Sequence, residues 1–248
     1  MIMPNNASLL AARYLAKFGA ALVARKYMLL LIVLMFNLFV QPLAHGKWVS
    51  HIIYEILVIV LMAGICLVVF EKWSERLVAL FAAIPAAYAV TVHNSLLWHA
   101  IVSGFLEYAV FVILRNIYRR NSIRSDDLIG AVCGYLMTGI AWGNFYVMIH
   151  YFEPNAFQMS PARMAEAVDP HSVRFVFNYF SFVTLTTVGY GDIVPIGSIA
   201  STVSWLEACF GQFYVAILVA QLIGLKQLNS AAQANISEET SEKTRVHQ

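Results

Sequence analysis

Apolar residues come in blocks of roughly membrane-spanning length, at about 27–45, 51–70, 77–93, 96–115, 127–151 and 198–225, with short polar segments between them. About 20 apolar residues in a helix cross the hydrocarbon core of a bilayer, so the pattern predicts an all-α membrane protein with six transmembrane helices. The third block is short and carries Pro85, which neighbouring helices tolerate in a bundle. Between 153 and 173 the chain turns polar and carries Pro154, Pro161 and Pro170. That is a loop signal, leading into a short helix predicted from Ser172, a suitable N-cap, to Thr186.

The two ends of the chain break the pattern differently. Residues 7–24 place Leu10, Tyr14, Phe18 and Ala21 near helical spacing among Arg13 and Lys17. They read either as an amphipathic helix on the inner leaflet or as a cytoplasmic extension of the first span. From Asn229 the chain is rich in Ser, Gln, Glu and Thr, which predicts a disordered tail. The expected organisation is a cytoplasmic segment 1–26, a four-helix domain 27–115, a basic linker 116–126, a two-span domain 127–228 and the tail 229–248.

Composition fixes the orientation. Hydrophobic residues make up 60% of the chain and charged residues 12%, outside the balance of a soluble domain. With both termini inside, only Lys47, Arg163 and Arg174 of the 16 Lys and Arg lie outside, which satisfies the positive-inside rule. The expected location is the plasma (inner) membrane. The net charge of +2 is therefore a topology signal, and no basic patch interleaved with aromatics points to nucleic acid. Cys66, Cys133 and Cys209 fall inside predicted spans as small apolar residues, without the spacing of a zinc site or a disulfide framework. No phosphate loop, nucleophile elbow or metal-protease motif supports an enzyme.

Candidate chemistry lies between the last two blocks, in Thr187-Val188-Gly189-Tyr190-Gly191-Asp192. In such a loop the main-chain carbonyls replace the water shell of K⁺, and the glycines supply backbone angles that residues with a β-carbon resist. The span, loop, short helix, filter and span from about 127 to 228 resemble the pore module of six-helix tetrameric potassium channels. The resemblance implies a fourfold homotetramer with a re-entrant pore helix and K⁺ as its only bound cofactor, with no organic group. Ion binding would fall to Thr187, Val188, Gly189, Tyr190 and Gly191, with Asp192 at the outer mouth.

Some members place a carboxylate four residues before the filter threonine, where this chain has Val183, and the paired tryptophans that brace many filters appear as Tyr179 and Phe180. Tyr179 can offer its hydroxyl to Asp192, whereas Phe180 cannot hydrogen-bond to Tyr190. The resemblance also makes Gly211 a hinge, with close helix packing by a small residue as the alternative, and assigns Gln212, Val215, Val219 and Leu222 to the cavity wall.

Two acids stand within predicted spans. Glu207 shares a helix face with Gly211 and Tyr214, and Glu107 lies in the fourth block. An intramembrane carboxyl is costly unless protonated or hydrogen-bonded, so each is a candidate for gating or for bracing, either as a proton-sharing pair or with separate partners. The fourth block has no Lys or Arg before Arg115. Each charge moved through the membrane field yields about 2.3 kcal/mol per 100 mV, so weak or absent voltage dependence is expected. His45, His51, His93, His99, His150 and His171 fall near the predicted outer surface, as pH or metal sensors or as ordinary interfacial side chains.

A single filter per chain favours a channel over a potassium uptake transporter, whose chains carry four. A non-selective cation channel is the nearest alternative. Membrane lipids are the remaining expected partners, and the sequence leaves a gating ligand or regulatory protein open.

Overall fold

The computed structural model describes residues 25–43, 58–66, 68–70, 95–119, 125–167 and 170–246. The expected span at 77–93, the stretch 7–24 and linker residues 120–124 lie outside the described residues, as does part of 51–70.

Helix α1, Lys26–Leu43, buries Tyr27, Leu30, Leu34 and Asn37, at helical steps of three and four. Its opposite face exposes Ile32, Phe36 and Phe39. A helix apolar all round, with one face bare, needs lipid rather than water on that face. Helices α2, Ser95–Tyr118, and α3, Ser125–Phe152, are separated by only six residues, which makes them antiparallel neighbours. Phe105, Leu106, Val110 and Ile113 of α2 pack with Ala131, Met137 and Ile140 of α3, against α1 and the helical stretch 58–66.

After α3 the chain forms strand β1, Phe157–Met159, the short helix α4, Pro161–Glu166, and helix α5, Pro170–Leu185. Strand β2, Ile193–Pro195, pairs antiparallel with β1, Phe157 opposite Pro195 and Met159 opposite Ile193. Since β1 follows α3 and β2 precedes the last helix, the ladder returns the chain to the end of α3 it left. At 16 residues α5 is about 24 Å long, short of a full crossing. The segment that carries it begins and ends on the β1–β2 ladder. This small ladder is an addition to the all-helical expectation, and it closes the loop at its base.

Helix α6 runs from Ser198 to Val246. Among the described residues, three helices have the length and apolar character of spans: Leu96–Tyr118, Asp126–Phe152 and Ser198–Gln221. The segment from Asn229 on, for which composition favours disorder, continues α6 as helix. Low hydrophobicity denies it a core, but no Gly or Pro follows Gly224 and Ala, Gln and Glu abound. Extending an established helix is far easier than starting one.

His99 departs from its expected place at the surface. It sits near one end of α2 but is only 1% exposed, with Nδ1 2.6 Å from Asn144 Oδ1 of α3. Its depth follows from its position in the block, whereas its burial follows from the face that α2 turns to α3.

Candidate functional site

The loop begins where α5 is capped. Thr187 N–H donates to the Thr184 carbonyl at 2.9 Å and Val188 N–H to the Val183 carbonyl at 2.9 Å, the paired bonds of a Schellman ending. That ending needs a left-handed residue after the helix. Thr187 takes it with φ 58°, where glycine is usual, at a cost of about 1–2 kcal/mol for a side chain. Val183 thus contributes its carbonyl as the cap acceptor.

Positive φ among the described residues occurs at Thr187, Gly189 (61°) and Gly191 (76°). Alternating left- and right-handed residues turn successive peptide planes the same way, so N–H groups gather on one side and carbonyls on the other. The five residues Thr187 to Gly191 are all exposed in the single chain, Val188 at 53% and Tyr190 at 71%. Among the described residues, no helix or strand covers them.

Beyond the loop, Asp192 Oδ2 accepts from the Tyr179 hydroxyl at 2.8 Å and from Arg163 Nε at 2.8 Å. The Arg163 guanidinium lies 3.8 Å from the Tyr179 ring centre. The Tyr179 and Tyr190 rings are parallel within 4°, with centres 6.4 Å apart. Loss of water alone would raise the Asp192 carboxyl; the Arg163 and Tyr179 hydrogen bonds outweigh it and hold the group below its ordinary value. Phe180 turns away into a buried aromatic group, 4.9 Å from the Tyr146 ring and 5.5 Å from Phe157.

Glu207 is fully buried where α6 meets α3 and α5. Tyr146 of α3 donates to its Oε2 at 2.5 Å. Ser181 Oγ of α5 lies 2.5 Å from Oε1 and 2.7 Å from the Gly139 carbonyl. A hydroxyl carries one proton and a carbonyl only accepts. Ser181 has one proton for these two contacts, and a carboxyl at this depth is cheapest neutral, so Glu207 would donate from Oε1 whenever Ser181 donates to Gly139. This joins three helices without a buried charge.

One turn further along α6, Gly211 lies so close to α5 that a Cβ there would stand 2.1 Å from the Leu185 carbonyl oxygen. Tyr135 donates to that same oxygen at 3.2 Å. Gln212 Nε2 lies 3.3 Å from the Thr187 hydroxyl, at the helix end of the loop. Val215 and Val219, on the same stripe, are each 46% exposed. The side chain of Leu222 lies outside the described residues. Glu107 sits half-buried on α2, whereas both Glu207 oxygens are occupied by Ser181 and Tyr146.

Arg163, Ser181 and Tyr146 are the contributors that sequence reasoning missed. Arg163 was visible only as an outside charge. Ser181 carried a faint signal as a hydroxyl between Phe180 and Phe182, and Tyr146 carried none.

Residues 164–225 match a family model described as an ion channel. The match runs from within α4 through α5 and the loop into the membrane-length part of α6, and covers Tyr179, the loop, Asp192 and Glu207, whereas Arg163 and the α3 residues precede it. With three membrane-length apolar helices among the described residues, it supports a transmembrane ion-channel protein. No similar curated protein and no similar solved structure was found.

Proposed function

We propose that the chain is the subunit of a tetrameric, potassium-selective channel that conducts K⁺ passively through residues 187–191. The observation that carries the reading is the handedness of that loop, with positive φ at Thr187, Gly189 and Gly191. Alternating handedness of this kind would line the carbonyls along one exposed side of the loop, at the end of helix α5. Four such rows about one axis give each dehydrated K⁺ a cage of oxygens, and one chain supplies only a quarter of it. The exposed stripe of Gln212, Val215 and Val219 would line the cavity below, with Gly211 as the hinge. The carboxyl end of α5 would offer its partial negative charge to an ion in that cavity.

The gate is not a conventional voltage sensor in this reading. Helix α2 has no Lys or Arg from Ser95 to Leu114, so open probability should vary little over a few tens of millivolts. Orientation follows the charge distribution, with the Asp192 end of the loop outside.

Reconstitution in a planar bilayer, with K⁺ on one side and Na⁺ on the other, tests the reading. A reversal potential close to the K⁺ equilibrium value is expected, and a value near zero would replace it with a non-selective pore. Gly189→Ala places a side chain at φ 61° and should abolish selective K⁺ flux; unchanged flux would move the pore elsewhere.

A further inference from the structure

We propose that Arg163 is the positioning residue of the outer mouth, holding Asp192 and, through Tyr179, the outer end of the filter. The inference rests on the channel reading and assigns a part to a residue that α4 brings in from outside the filter motif. Many pores hold the corresponding aspartate from the pore helix, and at the position that some of them give a carboxylate this chain has Val183, which has no polar side-chain atom. A cation arriving from the other direction performs the task instead.

Four features fix the arginine before it reaches the aspartate. Ser160 caps α4, accepting from Arg163 N–H at 3.4 Å, and Pro161 occupies the first turn. Ser160 N–H donates to the Asp192 carbonyl at 2.8 Å, extending the β1–β2 ladder. The backbones at 160 and 192 are therefore joined before any side chain is considered. Glu166 Oε2 takes Arg163 Nη1 at 2.7 Å, which leaves Nε directed at Asp192 Oδ2. Finally, the guanidinium lies over the Tyr179 ring, and the hydroxyl of that same tyrosine reaches Asp192 Oδ2.

Asp192, Arg163 and Tyr179 thus form a closed triangle with Tyr190 parallel to one side. The geometry needs arginine. A guanidinium serves two carboxylates and an aromatic face from one plane, whereas an ammonium is a point charge without that fork. One positive and two negative charges leave the cluster at −1, so the mouth keeps a sign that attracts cations.

The test compares wild type, Arg163→Gln, Asp192→Asn and the double variant in planar bilayers, reading the reversal potential and the decay of current during sustained conduction. Wild type is measured first: a reversal near zero there sinks the channel reading itself, independently of the clamp. With selective wild-type current, Arg163→Gln should speed the decay by about tenfold, on the scale of a lost charge-assisted hydrogen bond. Asp192→Asn should do the same, and the double variant should be no worse than either. Decay and reversal unchanged in Arg163→Gln, or two effects that simply multiply, would overturn the proposal. If Arg163→Gln does not assemble, Arg163→Lys takes its place. Faster decay than wild type then supports the clamp, and wild-type behaviour overturns it.

Discussion

Two carboxyl groups follow the loop 187–191 in the chain, each accepting a hydrogen bond from a tyrosine, and the protein treats them in opposite ways. Asp192 keeps a quarter of its side-chain surface, 26%, in solvent and meets a guanidinium, whereas Glu207 is 0% exposed and meets only hydroxyls. Water decides the difference. At the mouth a charged pair costs little to desolvate and gains a directional bond. Deep between helices an ion would cost several kcal/mol, so a neutral acid that donates with one oxygen and accepts with the other is the cheaper joint. The mouth contact orients; the buried contact holds helices together.

Truncation should separate the two most strongly. Glu207→Ala removes both hydrogen bonds and leaves a void among α3, α5 and α6, with an expected loss of about 3 kcal/mol. Asp192→Ala should cost about 1 kcal/mol or less, with its main effect on conduction. Thermal unfolding of the detergent-solubilised protein measures both. Equal losses would erase the distinction between orienting and holding.

A smaller effect examines the protonation state of the buried joint. Glutamine reproduces a neutral acid at 207, with its NH₂ toward Ser181 and its carbonyl toward Tyr146, so Glu207→Gln should shift stability by less than about 1 kcal/mol. Ser181→Ala removes the partner of one buried Glu207 oxygen, while the Gly139 carbonyl keeps its helical partner, and should cost about 1–3 kcal/mol. If glutamine proved as damaging as alanine, the proton count at Ser181 would be wrong.

Legibility in the sequence followed the distance over which each feature acts. The blocks at 96–115, 127–151 and 198–225 correspond to helices α2, α3 and α6, because hydrophobic length is a local property of the chain. The loop is equally local: its glycines alternate within five residues, and the helix that presents it ends next to it. Tyr179 and Asp192 are 13 residues apart and lie on adjoining elements. Arg163 reaches Asp192 across 29 residues, through the register of a two-stranded ladder that no alternation in the sequence announces. Tyr146 meets Glu207 across 61 residues, a contact set by how two helices rotate against each other. His99 illustrates the same limit, since its depth was readable but its face was not. The helical course of 229–246 was hidden for another reason: composition reports the lack of a core, whereas the backbone continues a helix already formed.

External acid supplies the smallest effect and the sharpest contrast between the two sites. Arg163 and Tyr179 lower the Asp192 carboxyl against the opposing effect of burial, Glu166 shares the guanidinium, and Tyr190 lies parallel to Tyr179. Because the carboxyl titrates lower in the clamp than in a detached chain, the clamp's stabilisation is complete above the ordinary value of about 3.9. It fades only as pH falls through the depressed value. Acidifying the outer solution from about pH 7 to about pH 5 should therefore leave decay and reversal of wild-type current unchanged, with any loss confined to more acid conditions. In Arg163→Gln the onset should move up toward the ordinary carboxylate range, because the larger of the two restraining bonds is gone. The buried acid has no part in this titration: Glu207→Gln should follow the wild-type curve. A loss of current that begins above about pH 6 in wild type would place the sensor on a histidine, with its reference value near 6.5, and would take the proton sensitivity of the mouth away from Asp192.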